Sequence, residues 1–331
     1  MTKDNSDVWG ISRVWNASLV DKEDRKLEPR DYLWASELGK APVDLYLKLK
    51  GVEPTNLPND RSKRKFEAGN IFEWIVGLIL IRAGILQESQ KWTKYQYPGL
   101  LAVTGRADYI AGGKPDYQKA KEELKELLLP DVFMRAGDSI ISYFAKNFPD
   151  GLKEMPFEVK SVSSFMFEAM LASGKPLVNH EKQLYHYIKS GHYDMGVLVY
   201  ICRDDLRMEE FVIKDEPAIE KKYRDDIATI TDYYNRDEQP PLEKPIVWDE
   251  NLQKFAKNFN VGYSMYLTKL YGFKDQAEFD DKYTSIVEGF NRVLTRIKDG
   301  KDMTENNKEK IGYMIELGFD IEEIKKQLIK K

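Results

Sequence analysis

The stretch Thr104-Gly105-Arg106-Ala107-Asp108, taken with the later Phe157-Glu158-Val159-Lys160-Ser161, decides how this chain is read. Together they place two acids and a lysine on what the pattern predicts to be two strand ends, the first strand ending near Asp108. Residues two apart on a strand project to one side, so Glu158 and Lys160 are expected to face the same pocket. A hard cation such as Mg²⁺ takes oxygen ligands and keeps several of its waters. An Asp from one strand and a Glu from the next can therefore hold it while positions stay open for a phosphate and an attacking water. The lysine would orient that water or help deprotonate it. Such a set fits metal-dependent phosphodiester hydrolysis.

The flanking sequence supplies the context. Residues 61 to about 84 run from four cations (Arg61, Lys63, Arg64, Lys65) into Phe66, Ile71, Trp74, Ile75, Leu78, Ile79 and Arg82, an apolar stripe at helical spacing that predicts one long core helix. Two strands follow, at 92–97 and 101–110, joined at Pro98-Gly99. Residues 114–153 are charged and helix-prone and read as an insertion before the strand at 155–162. A helical region at 165–190 is interrupted at Gly174-Lys175-Pro176, and Met195 to Cys202 is a continuous apolar run typical of a buried strand. The expected order is helix, three strands, helix, strand. From about residue 215 onward the chain reads as helical, with a loop at Pro240-Pro241 and apolar residues at helical spacing over 263–271, 283–297 and 308–329.

Composition bounds the function classes. With 42% hydrophobic residues the chain of 331 can bury a large core, and a single cysteine, Cys202, excludes an internal disulfide framework and any cysteine-ligated zinc or iron–sulfur site. The polar N-terminus shows no signal peptide, and the most apolar run is far too short to span a membrane, so a soluble, cytoplasmic protein is expected. A net charge of −4 argues against a generally basic nucleic-acid coat, although a local positive groove would suffice for a nuclease. The histidines, His180, His186 and His192, are spaced by six and do not share a helix face, which argues against a three-histidine metal site. Gly112-Gly113-Lys114 lacks the rest of a phosphate-binding loop.

The order of elements, with Asp108 and Glu158-Val159-Lys160 on successive strands, resembles the PD-(D/E)xK nuclease superfamily, and further residues resemble its RecB-like and phage-exonuclease branch. Gly69 with Glu73 on the first helix, Gly105 with Asp108, and Gln183 with Tyr187, which looks like that branch's Q-x-x-x-Y signature, carry the likeness. Tyr32-Leu33-Trp34-Ala35-Ser36 with Leu45-Tyr46-Leu47 looks like the family's opening helix. The likeness covers roughly residues 30–215.

The resemblance implies an α/β restriction-endonuclease-like core, a mixed sheet flanked by helices, with a helical insertion and a helical C-terminal region. Residues 1–60 would form an N-terminal helical region contributing to the nuclease fold, 61–215 the core, and 216–331 the helical C-terminal region. It implies Mg²⁺ or Mn²⁺ held by Asp108, Glu158 and the Val159 carbonyl, with Glu73 contributing. Lys160 would position the water, and Gln183 and Tyr187 would orient the lysine or a phosphate. DNA is the implied substrate, and an exonuclease of recombination, repair or phage DNA metabolism the implied role, whether cellular or virus-encoded. Any helicase, recombinase or other protein partner would be a separate chain.

Two departures stand out. Glu73 occupies a position where many relatives carry histidine, and the four iron–sulfur cysteines of the similar CRISPR-adaptation nucleases are missing. Each element also has a plainer reading. Glu73 can be a helix-surface charge, the cations at 61–65 a solvated helix start instead of a nucleic-acid contact, and Gln183 and Tyr187 an exposed amide and a packing tyrosine. A rival reading is a nuclease fold kept as a DNA-binding or assembly subunit. Strand polarity, end preference and oligomeric state are open at the level of sequence.

Overall fold

The computed structural model describes residues 15, 27–127, 131–249 and 252–329. In chain order the strands are β1 (Tyr32–Trp34), β2 (Leu86–Tyr95), β3 (Ala102–Gly113), β4 (Leu152–Val162), β5 (Met195–Cys202), β6 (Met208–Lys214), β7 (Ile246–Asp249) and β8 (Lys254–Lys257). The α-helices are α1 (Pro42–Leu49), α2 (Asp60–Arg82), α3 (Tyr117–Glu126), α4 (Asp131–Asn147), α5 (Ser164–Ser173), α6 (Val178–Gly191), α7 (Pro217–Arg236), α8 (Phe259–Gly262), α9 (Leu267–Tyr271), α10 (Gln276–Lys298), α11 (Glu305–Glu316) and α12 (Ile321–Ile329). Two compact units result. One comprises the described residues up to Gly39 with Leu49–Gly51 and Pro58–Asp237; the other comprises Lys40–Lys48, Val52–Leu57 and the residues from Glu238 onward. No described helix is long and apolar enough to cross a membrane.

The first unit is built on a six-stranded mixed sheet in the order β1-β3-β4-β5-β6, with β2 pairing β3. β3 runs antiparallel to β2 and β4, while β1 and β3, and β4 and β5, are parallel. A parallel pair needs a long crossover connection, and α5 with α6 supplies it between β4 and β5. Alternation along β5 shows what covers each face. Val197, Val199 and Ile201 join Val76 and Leu80 of α2 in one apolar cluster. On the other parity, Gly196 leaves no room for a side chain because a Cβ there would lie 2.9 Å from Leu184 of α6.

Helix α2 starts where Asn59 accepts a hydrogen bond from the Ser62 N–H at 2.9 Å, and the chain turns away after it at Gly84, φ +68. At 23 residues it is about 35 Å long, and only its second half is core. The packed residues begin at Phe72, whereas Phe66, Ile71, Trp74 and Ile75 are exposed, against the expectation of one apolar stripe along its length. The insertion is the helix pair α3 and α4, α3 being capped where Asp116 accepts from the Lys119 N–H at 3.0 Å.

The predicted opening helix is three pieces. Tyr32-Leu33-Trp34 is a strand paired with Ala102–Thr104, Ala35–Glu37 is a single 3-10 turn, and helix begins only at Pro42. Gly39 at φ +83 breaks the helical path between them, and proline, with its fixed φ and missing N–H, suits a first helical turn. Asp108 is central in its strand and not near its end, because pairing with both neighbours continues to Gly113 or Ala111.

The second unit gathers Phe255, Phe279, Phe290, Val293, Met314 and Ile324 into its own apolar core beneath the β7–β8 hairpin and helices α10 to α12. Phe255 meets Phe290 edge-on at 5.2 Å. The hairpin was not evident from the helical periodicity of this region. The apolar stretch at 308–329 is divided between α11 and α12 at Gly318, φ +75. Helix α1 joins this unit, where the Ser264 hydroxyl donates to Asp44 at 2.8 Å and the Tyr266 hydroxyl to the Val52 carbonyl at 2.8 Å.

Candidate active site

The site grows out of a fork in the sheet. β3 and β4 are paired from Gly113↔Leu152 to Tyr109↔Phe157, and pairing stops there, while β1 takes up the same edge of β3 only at residues 102–104. Residues 105–108 thus have no strand partner on that edge. Asp108 bridges the opening, its Oδ2 accepting a hydrogen bond from the Val159 N–H at 2.8 Å. Glu158 and Lys160 flank Val159 and share the other parity of β4, with Lys160 Nζ 2.5 Å from Glu158 Oε1.

Helix α6 closes the cluster. Gln183 Nε2 donates to the same Glu158 oxygen at 2.6 Å and lies 3.0 Å from the Tyr187 hydroxyl, one helical turn on. Gly105 is required for this approach, since a Cβ there would sit 2.9 Å from both the Tyr187 ring and the Ala35 methyl. On the facing helix, Glu73 accepts a hydrogen bond from Gln90 Nε2. Its turn of α2 is held to β3 by the Tyr109 hydroxyl, which donates to the Glu73 carbonyl at 2.9 Å across the small residue Gly77. A cavity of about 330 Å³ opens here, with Glu73, Asp108, Gln183 and Tyr187 among its walls.

The electrostatics are those of crowded, buried acids. Glu158 is 1% exposed. Burial pushes its carboxyl up to about 8, with the Lys160 ammonium opposing and the Asp108 charge adding to the rise. Burial and then the Asp108 charge raise Glu73 to about 7. Asp108 is also raised, because burial outweighs Lys160, the Val159 N–H and Arg106. For Lys160 burial favours the neutral amine, yet the charges of Glu158, Asp108 and Glu73 together outweigh it and its pKa rises. Glu158 and Glu73 therefore hold protons near neutral pH that solvated carboxylates would shed.

One atom is conspicuous. Glu158 Oε2 is buried with no hydrogen-bond partner, while Oε1 takes two. Among the described residues no three His, Cys, Asp or Glu side chains stand gathered as a ready-made cation cage. The fork offers a partial, all-oxygen donor set with one unpartnered lone-pair site, a chemistry that suits a hard divalent cation and not a soft one.

All the residues singled out from sequence, Glu73, Asp108, Glu158, Val159, Lys160, Gln183 and Tyr187, fall around this fork. The histidines gather into no metal group among the described residues, although His180 stands near enough to Lys160 that burial, and then the lysine's charge, lower its pKa to about 3. His180 pairs with the Tyr200 hydroxyl at 2.9 Å, and His186 lies between Thr93 and the Tyr223 hydroxyl, at 3.0 and 2.9 Å. Sequence reasoning missed Gln90, Arg106, Trp34 and Trp92, which line the same cavity. Gln90 has an unusual φ of +53, invisible in a sequence, and Trp34 was hidden by its assignment to a helix.

A mixed α/β sheet with a charged cluster at a strand fork is the class of architecture this chain defines. No protein family and no curated protein matches its sequence. Among solved structures it is similar to SSO0001 at 15% identity and a TM-score of 0.42, covering 71% of this chain and 91% of that one. It is also similar to LHK-Exo in complex with dAMP, at 12% identity and TM-score 0.40, covering 68% of this chain and 93% of that one. A further similar structure is the alkaline exonuclease LHK-Exo from Laribacter hongkongensis, at 12% and 0.37, with the same coverage. All three scores lie below 0.5, so the functional reading rests on this chain's own side chains.

Proposed function

We propose that this protein is a divalent-cation-dependent deoxyribonuclease that trims DNA from its ends. The observation that carries the reading is the buried, unpartnered Oε2 of Glu158 beside Asp108, burial raising the pKa of both acids. Asp108, Glu158 and the Val159 carbonyl would hold Mg²⁺ or Mn²⁺, with Glu73 beside them. The ion, when bound, lowers the pKa of a water and offsets charge on the scissile phosphate. The N–H and C=O of a strand residue point to the same edge, so the Val159 carbonyl shares the edge on which its N–H meets Asp108.

Lys160 is held as an ammonium by the surrounding acids. In that state it donates hydrogen bonds, so it can orient a water and steady a phosphate oxygen. Gln183 fixes the Glu158 carboxylate, with Tyr187 supporting Gln183. These two act on the acid more directly than on the lysine.

The test is degradation of end-labelled linear and closed circular DNA with Mg²⁺ or Mn²⁺. Loss of cleavage by at least about 100-fold in both Glu158→Ala and Lys160→Ala supports the assignment, and sparing of the circle supports an exonuclease. A wild-type protein that binds DNA but cleaves neither form would favour the second reading, a binding or assembly subunit. That reading draws on the ion pair by which Lys160 already occupies Glu158.

A further inference from the structure

The cavity at the fork has a second kind of wall. Trp34 and Trp92 line it together with Asp108 and Glu73, and the two indole rings lie 5.8 Å apart, tilted by 47°. Trp34 comes from β1 and Trp92 from β2, the strands that flank β3 on its two edges. Both are paired near Gly105, Trp34 with Thr104 and Trp92 with Arg106, so the two rings are brought together across the strand that carries the acid.

Their setting is rigid on one side and open on the other. Trp34 is backed edge-on by Tyr32 at 5.7 Å, and Tyr32 in turn lies under the Arg30 guanidinium, which is itself ion-paired to Glu37 at 2.5 Å. Trp92 is 63% exposed, an unusual situation for the largest apolar side chain. The exposed Arg106 stands 5.9 Å from the Trp92 ring centroid, adding a cation at the same mouth. Packing alone does not explain an indole left open beside a cluster of buried acids.

We infer that Trp92, with Trp34 as a tilted side wall, is a stacking platform for one unpaired nucleobase next to the scissile phosphate, and that the substrate end is single-stranded or frayed. This rests on the nuclease reading above. Three observations favour a base as the occupant. Indole faces stack on any base irrespective of sequence. Arg106 offers charge to a phosphate beside that base. A cavity of about 330 Å³ is at the lower end of the roughly 300–1,000 Å³ of small-molecule sites, a space for one nucleotide and not for a base pair. Inside a duplex both faces of a base are covered by its neighbours, and a terminal pair, whose outer face is open, is too large for this space, so an unpaired base is what can lie on Trp92.

The experiment uses the full chain and two readouts, each on the wild type, Trp92→Ala, Trp92→Phe and Trp34→Ala. Quenching of tryptophan fluorescence by a single-stranded oligonucleotide, in EDTA, measures binding without cleavage. Steady-state cleavage with Mn²⁺ is then followed on the same oligonucleotide, on blunt duplex, and on a series carrying one abasic residue at successive positions from the end. The expected result is a preference for single strand over blunt duplex. Trp92→Ala should weaken binding and raise KM by about 10-fold or more, and Trp92→Phe should restore most of the loss. One abasic position should cost the wild type a similar factor and cost Trp92→Ala nothing further. Equal use of blunt duplex, or indifference of the wild type to every abasic position, would overturn the platform. If the wild type cleaves nothing yet keeps Trp92-dependent, abasic-sensitive binding, the nuclease reading fails while the platform stands. Cleavage without Trp92 dependence is the reverse.

Discussion

The fork between β3 and β4 and the core of the second unit bury side chains to opposite ends. Around Phe255 the buried surface is apolar and aromatic, rings meet edge to face, and the buried Asp44 of that unit accepts a hydrogen bond from Ser264. Around Glu158 two buried or half-buried acids crowd a third, one oxygen has no partner, and all three carboxyl pKa values are raised. The first arrangement lowers the free energy of the fold. The second carries a desolvation cost that Lys160 offsets only in part for Glu158, and the proposed cation would offset more of it.

The contrast can be broken at its apolar end first. Phe290→Ala removes a fully buried ring from the second core and should destabilise the protein by about 3–5 kcal/mol in urea denaturation. A loss under about 1 kcal/mol would mean that this core does not bear the unit's stability.

At the charged end the sign should reverse. The Glu158 and Glu73 pKa values are raised to about 8 and about 7, so the folded state binds protons more tightly than the unfolded chain. Their stabilising contribution is complete below the unfolded value near 4.5 and is lost as pH climbs through 7 and 8. Without divalent cations, stability should therefore fall between pH 6 and 8.5, by on the order of 1–3 kcal/mol. Glu158→Gln should flatten that fall and raise the melting midpoint at pH 8. A midpoint that rises with pH over this window would contradict the electrostatic picture. Mn²⁺ should raise the wild-type midpoint at pH 8 and leave the Gln variant nearly unmoved.

Smaller effects sharpen the geometry between these extremes. Gly105→Ala pushes a methyl into the Tyr187 ring and Ala35, and should cost about 1–3 kcal/mol as well as activity, whereas Gly99→Ala meets no neighbour and tests φ strain alone. Tyr187→Phe deletes one hydroxyl partner of Gln183 and should cost only about 0.5–1.5 kcal/mol by thermal melting. A larger loss would mean that the tyrosine's role is packing against the strand.

Most of this site was legible because it obeys local periods. Glu158 and Lys160 share a side by the two-residue alternation of a strand, and Gln183 reaches Tyr187 by the four-residue step of a helix. The order of helices and strands and the helical insertion follow from apolar runs and turn residues for the same reason, whereas the mixed sheet came from the resemblance. What escaped is set by distant pairing. Trp34 reads as helical in its own neighbourhood but is drawn into β1 by parallel pairing with β3. The fork exists because β1 and β4 claim separate parts of one edge, a fact belonging to no single segment. The stripe on α2 was over-read because spacing reports that residues share a face, and not how far along the helix that face finds a partner.

The interleaving of the two units has a consequence for anyone who wishes to separate them. Helix α1 and residues 52–57 come early in the chain but belong with residues synthesised after position 238. Their partners Ser264, Met265 and Tyr266 leave the ribosome about two hundred residues later than Asp44, Thr55 and Val52. The N-terminal portion must wait for the last third of the chain before these contacts can close. A stop codon after Asp237 would not excise a module; it would strip Asp44, Val52 and Thr55 of the partners that hold them.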